Sequence, residues 1–228
     1  GRVLVLSVTS GSVFAIIAAL FALGPWLQDP HGFVKIFAAT SFFFFLAATI
    51  PVFFKEPENV LAEECNKTAV SVRQHSFWKL FSDDSALVRL SIVAASFSAA
   101  IILFPHYQAF ARERFGVASH SLLTWIIVQN IATGLASLVV GPLADPRGNR
   151  VVLIGLLGCC AGTPLFVAGL SMCSLPSGIQ LFWLAYVPLG LNPIMLRIIS
   201  NYALELAPTV TLQPRYVSLV GGALAIPR

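Results

Sequence analysis

Polar side chains stand out along this chain because so little around them is polar. Phe104-Pro105-His106-Tyr107-Gln108 interrupts an apolar run. Pro105 has no backbone N–H, so it can open the hydrogen-bond ladder of a helix locally. The three side chains after it can hydrogen-bond a solute. His106 can also carry a proton near neutral pH, and a solvated interfacial histidine is the alternative reading. Gln129 and Asn130 sit in a second run, where bonding between helices competes with solute binding as their role. A third run holds Trp183, Tyr186, Asn192, Arg197, Asn201 and Glu205. Asn192-Pro193 can break that helix near its middle. Arg197, Asn201 and Glu205 recur every four residues and share a face. Arg197 lies far enough along to snorkel to the aqueous edge as well as to meet a solute. The candidates for solute contact are His106, Tyr107, Gln108, Asn130, Tyr186, Asn192 and Arg197.

Other chemistries lack their residues. No HExxH, GxSxG or paired-carboxylate motif sits in an apolar run, and no nucleotide-binding loop is present. Neither an enzyme nor a cofactor is expected. Cys65, Cys159, Cys160 and Cys173 form no CxxC pair, and Cys159 and Cys160 read as small apolar residues of a helix. The basic residues are dispersed, so nucleic acid is not an expected partner.

The elements that must position these groups follow from composition. The chain has 228 residues, 57% hydrophobic and 11% charged, with a mean hydropathy of +0.84. A soluble domain carries about a quarter charged residues. A bilayer removes the demand for a polar surface, so lipid is the first expected partner. A spanning helix needs about 20 largely apolar residues. Such runs cover roughly Val3 to Trp26, Phe33 to Phe54, Ala86 to Ala111, Ser121 to Leu143, Val151 to Met172 and Gly178 to Leu204. A seventh begins near Tyr216. The expected fold is all-α, a polytopic transmembrane helix bundle. Residues 55–85 form a polar loop, in which Phe77 to Phe81 reads as an interfacial helix. The chain starts at Gly1 and ends within an apolar run at Arg228, so the expectation is a fragment.

Counting Lys and Arg on alternate sides puts ten on one face and only Lys35, Arg112 and Arg114 on the other. The excess marks the cytoplasmic side. Residues 55–85 and 144–150 are then cytoplasmic in a multi-pass plasma- or inner-membrane protein. Asn66-Lys67-Thr68 formally fits a glycosylation acceptor on the wrong side for one.

Gly141 to Arg150, GPLADPRGNR, must reverse the chain between two helices. Gly141 permits close backbone packing, and Gly148 permits a backbone angle closed to other residues. Asp145 is a lone carboxylate suited to a neighbouring helix N-terminus. Arg147 and Arg150 suit an anionic membrane surface. A plain basic turn with a solvated aspartate would use the same residues.

This segment resembles the G-x-L-A-D-x-x-G-[RK]-[RK] loop of the major facilitator superfamily. Gly141, Leu143, Ala144, Asp145, Gly148 and Arg150 match, while Pro146 and Asn149 depart from the pattern. That family has one copy between helices two and three and a weaker one between eight and nine. The long polar loop two helices earlier selects the weaker copy. The resemblance then implies family helices five to eleven: residues 1–54 close an N-terminal bundle, 55–85 link the bundles, and 86–228 form a C-terminal bundle cut in its fifth helix. Tyr202 to Pro208 with Pro214-Arg215-Tyr216 resembles the passage from helix ten to eleven. Arg2/Arg215 and Leu6/Leu219 match as a weak parallel repeat.

The resemblance implies gradient-driven transport of a small solute by alternating access, as symport with a proton or as uniport. It makes Gly141, Leu143, Asp145, Gly148 and Arg150 a gating loop that packs on the start of the first helix, with Asp145 near the backbone of Arg2–Val5. It makes the third and sixth runs cavity-lining, and the missing remainder of the same transporter a partner. The glycine-rich antiporter pattern in helix five is mostly absent, since Trp26-Leu27 follows Gly24-Pro25. Fold does not select among sugars, carboxylates, peptides and drugs. A seven-helix receptor or sensor is the competing class.

Overall fold

A computed structural model describes residues 2–53 except 28 and 30, residue 81, and residues 83–117, 121–172 and 175–225. The polar stretch from 55 to 85, with its expected interfacial helix, Cys65 and Asn66, lies almost wholly outside these residues, and so does Cys173.

The described chain is helical: α1 (Arg2–Ala18), α2 (Gly32–Thr49), α3 (Ser85–Ile102), α4 (Phe104–Phe115), α5 (Ser121–Arg147), α6 (Asn149–Ser171), α7 (Leu175–Leu181), α8 (Asn192–Leu206) and α9 (Gln213–Ala225). Six helical stretches among the described residues are long and apolar enough to cross a membrane, from Val5–Trp26 to Gly178–Leu206. The expected seventh run gives α9, a helix of 13 residues.

Each irregularity has a local cause. α1 continues through a π-helical turn, Ala19–Leu23, into Gly24–Trp26. Pro25 has no N–H to give, and Gly24 N–H reaches back five residues to the Ala19 carbonyl. The reversal into α2 is tied by Asp29, whose carboxylate accepts from His31 N at 3.0 Å and from Lys35 Nζ. The Lys35 ammonium, with the His31 N–H, holds the Asp29 carboxyl below its usual range. α3 gives way to α4 at Leu103, ahead of Pro105. α4 runs on through Arg112 and Arg114 to Phe115 and stops at Gly116, whose φ of 63° closes a left-handed cap.

α5 departs from expectation. It does not end at Leu143 but passes Pro142 and Pro146 to Arg147. The whole reversal is made by Gly148, at φ 78°, before α6 starts at Asn149. So the segment read as a loop is mostly the last turns of a helix.

α1 lies antiparallel on α5: Thr9 meets Ser137 and Ser12 faces Gly134. α9 packs on α3 and α8, α8 packs on α6, and α5 neighbours α6. One core joins Leu87, Phe97, Leu156, Ile198 and Tyr216; a second, at the other end, joins Phe115, Trp125, Phe182 and Tyr186. α2 touches little beyond the preceding turn. Its Phe42, Phe43, Phe44 and Phe45 are 61–72% exposed, which suits hydrocarbon surroundings and not water.

Candidate functional site

The break expected at Asn192-Pro193 starts earlier in the chain. α7 ends at Leu181, Phe182–Ala185 tighten into a 3-10 turn, Tyr186–Leu189 make one α-turn, and α8 begins at Asn192. Gly190 lets the broken segment touch α5. A Cβ there would lie 2.4 Å from the Gln129 carbonyl oxygen and 3.0 Å from Ala132 Cβ. Thr133 Oγ1 donates to the Gly190 carbonyl at 2.6 Å, satisfying an acceptor the break sets free. Neither Gly190 nor Thr133 was singled out by sequence.

Beside this break lies a cavity of about 300 Å³ between α3, α4 and α6. Tyr107 and Asn192 line it, joined by Ser96, Cys160 and Thr163. Cys160 Sγ lies 3.7 Å from both Asn192 Oδ1 and the Pro188 carbonyl, which share its one weak S–H donor. No Asp, Glu, Lys, Arg or His is among the lining residues.

The other candidates are dispersed. His106 is exposed and Gln108 half-buried, and neither lines that cavity. Asn130 Nδ2 donates to the Ile126 carbonyl of its own helix at 2.9 Å. Tyr186 is 2% exposed. Its ring stacks on Trp125, with centroids 5.0 Å apart, and meets Phe104 and Phe182 edge-on or tilted. Arg197 Nη1 donates to Ser7 Oγ of α1 at 3.1 Å, so it joins two helices across 190 residues of sequence.

A second, polar hollow of about 200 Å³ gathers Gly141, Ala144, Asp145, Asn149, Asn201 and Glu205. Asn149 Nδ2 donates to Glu205 Oε1 at 2.6 Å, tying the start of α6 to the end of α8. Two of the three regularly spaced residues, Asn201 and Glu205, thus meet the Gly141–Asn149 segment; Arg197 does not line the hollow. Leu143 packs against the first core and Arg150 is exposed.

No protein-family model matches the chain, and no curated protein or solved structure matches it significantly.

Proposed function

We propose that this chain belongs to a secondary transporter of the major facilitator kind, which moves a small solute by alternating access. The reading numbers the helices five to eleven of that architecture, with α1 and α2 in one bundle and α3 to α9 in the other. Residues 55–85 and the Gly141–Arg150 segment face the cytoplasm, as the ten-to-three excess of basic residues favours.

The observation that carries the reading is the seam between α1 and α5. It is made of small side chains and hydroxyls: Thr9 Oγ1 and Ser137 Oγ lie 3.0 Å apart and Ser12 sits on Gly134. Interhelical hydrogen bonds in membranes average about 0.6 kcal/mol each. A seam held that weakly can part and re-form, which rocking of two bundles requires. An interlocked seam of large side chains would resist it.

Uptake of labelled sugars, carboxylates, peptides and drugs into cells expressing the protein tests this, with and without Thr9→Cys/Ser137→Cys. Net uptake by the parent, blocked on oxidising the cysteine pair and restored by dithiothreitol, is the expected result. Signalling triggered by a ligand, with no solute crossing, would sink the transport reading in favour of a receptor.

A further inference from the structure

We propose that the cavity between α3, α4 and α6 binds a small, uncharged amphipathic molecule, an apolar body with one hydroxyl or amide head, and that Thr163 is the partner of that head. The proposal goes beyond the transport reading and requires only binding.

Thr163 carries the argument. It is 2% exposed, it lines the cavity, and its Oγ1 has no hydrogen-bond partner. A helical threonine ordinarily turns its hydroxyl back to a carbonyl three or four residues earlier. Thr133 does so here, sharing its one hydroxyl hydrogen between the Gln129 carbonyl at 2.9 Å and the Gly190 carbonyl at 2.6 Å. Thr163 does not, and a buried hydroxyl left unpaired in an apolar setting is unfavourable. Oγ1 is shut off from the cavity in this conformation, and a turn of the side chain about χ1 lets a ligand head supply the missing partner. Asn192, Cys160 and Tyr107 add polar atoms around the same space.

The walls set the class. Ile92, Phe97, Leu157 and Leu189 make most of the surface apolar, and the lining includes no charged side chain. An ion would be buried there uncompensated. A volume of about 300 Å³ stands at the small end of ligand pockets, so a compact molecule fits and a peptide does not.

The test uses octanol bearing a diazirine as photoprobe on the protein in lipid nanodiscs, with labelled peptides read by mass spectrometry. Saturable labelling on the peptides carrying Tyr107 and Cys160–Pro164 is expected. Unlabelled octanol should compete and octanoate should not. Thr163→Val should weaken probe binding about tenfold, the scale of one lost buried hydrogen bond, and Thr163→Ser should restore it. Ala161→Phe should abolish labelling by filling the space. Each variant's thermal midpoint is measured in the same nanodiscs, and the serine variant keeps the comparison decidable if valine unfolds the protein. Unsaturable labelling shared with Phe42–Phe45 would mean that acyl chains fill the cavity, and would overturn the proposal. Equal competition by octanoate, or unchanged affinity in Thr163→Val, would overturn it as well.

Discussion

Tyr216 donates its phenolic hydrogen to Oδ2 of Asp84 at 2.6 Å, while Oδ1 of the same carboxylate accepts from the backbone N–H of Ala86 and Leu87. One side chain therefore caps α3 and anchors the first turn of α9, from positions 132 residues apart. Asp84 sits in an extended conformation ahead of the helix, where an aspartate is among the best caps.

This arrangement makes stability depend on pH. Burial pushes the Asp84 carboxyl up, but the bonds from Tyr216, Leu87 and Ala86 outweigh it and hold the carboxyl below its usual range. A carboxyl depressed on folding stabilises the fold above its unfolded pKa of about 3.9, and the gain is lost as pH falls through the lower folded value. Asp84→Ala should cost about 1–2 kcal/mol near neutral pH through the lost cap. Its thermal midpoint should approach that of the parent below about pH 4. Asp84→Asn keeps the capping geometry and should remove most of that pH dependence. Midpoints of the solubilised protein across a pH series check this; a gap independent of pH would refute it.

The contact of Gly190 with α5 yields a sharper expectation. The atom nearest to an added Cβ is a backbone oxygen, that of Gln129 at 2.4 Å, and a helix backbone cannot swing aside as a side-chain tip can. Gly190→Ala should destabilise by about 1–3 kcal/mol, the usual range for overpacking. Thr133→Val, which loses the bond to the Gly190 carbonyl, should cost about 1 kcal/mol. Gly155→Ala is the control, since a Cβ there meets nothing within 4 Å. Thermal unfolding in one detergent ranks the three, and equal midpoints for Gly190→Ala and Gly155→Ala would refute the argument.

What the sequence could reveal follows from which forces act locally. Runs of about 20 apolar residues declare themselves, and Gly148 declared its positive-φ turn, found at φ 78°. The end of α5 was hidden because the polar stretch from Ala144 to Arg150 read as a loop, although Pro142 and Pro146 lie within the helix. In an apolar setting a helix can run through proline when nearby groups take up the freed carbonyls. The break before α8 was signalled by Asn192-Pro193, yet it starts at Phe182, ahead of Pro188 and Gly190 as well. There, packing of Phe182 on Trp125, with centroids 5.1 Å apart, is a tertiary effect without a local signature. Thr163 was equally hidden: beside Pro164 in an apolar run, it looks like any threonine bonded back to its own helix. Asn130 shows the converse, since its polar side chain is spent on Ile126.

The ring of Tyr186 gives the last prediction, which separates packing from solute contact. It is 2% exposed and stacked on Trp125 at an interplanar angle of 26°, with Phe104 across it at 6.1 Å. These contacts use the ring faces and edges, not the hydroxyl. Removing the ring should therefore be costly and removing the hydroxyl should not. Tyr186→Ala should destabilise by about 3–5 kcal/mol, the range for large aromatic truncations in a core. Tyr186→Phe should shift the thermal midpoint little and leave solute uptake unchanged. If Tyr186→Phe folds as the parent does but loses uptake or changes solute preference, the hydroxyl touches the solute. The sequence-level assignment of Tyr186 to solute binding would then stand in place of the packing role.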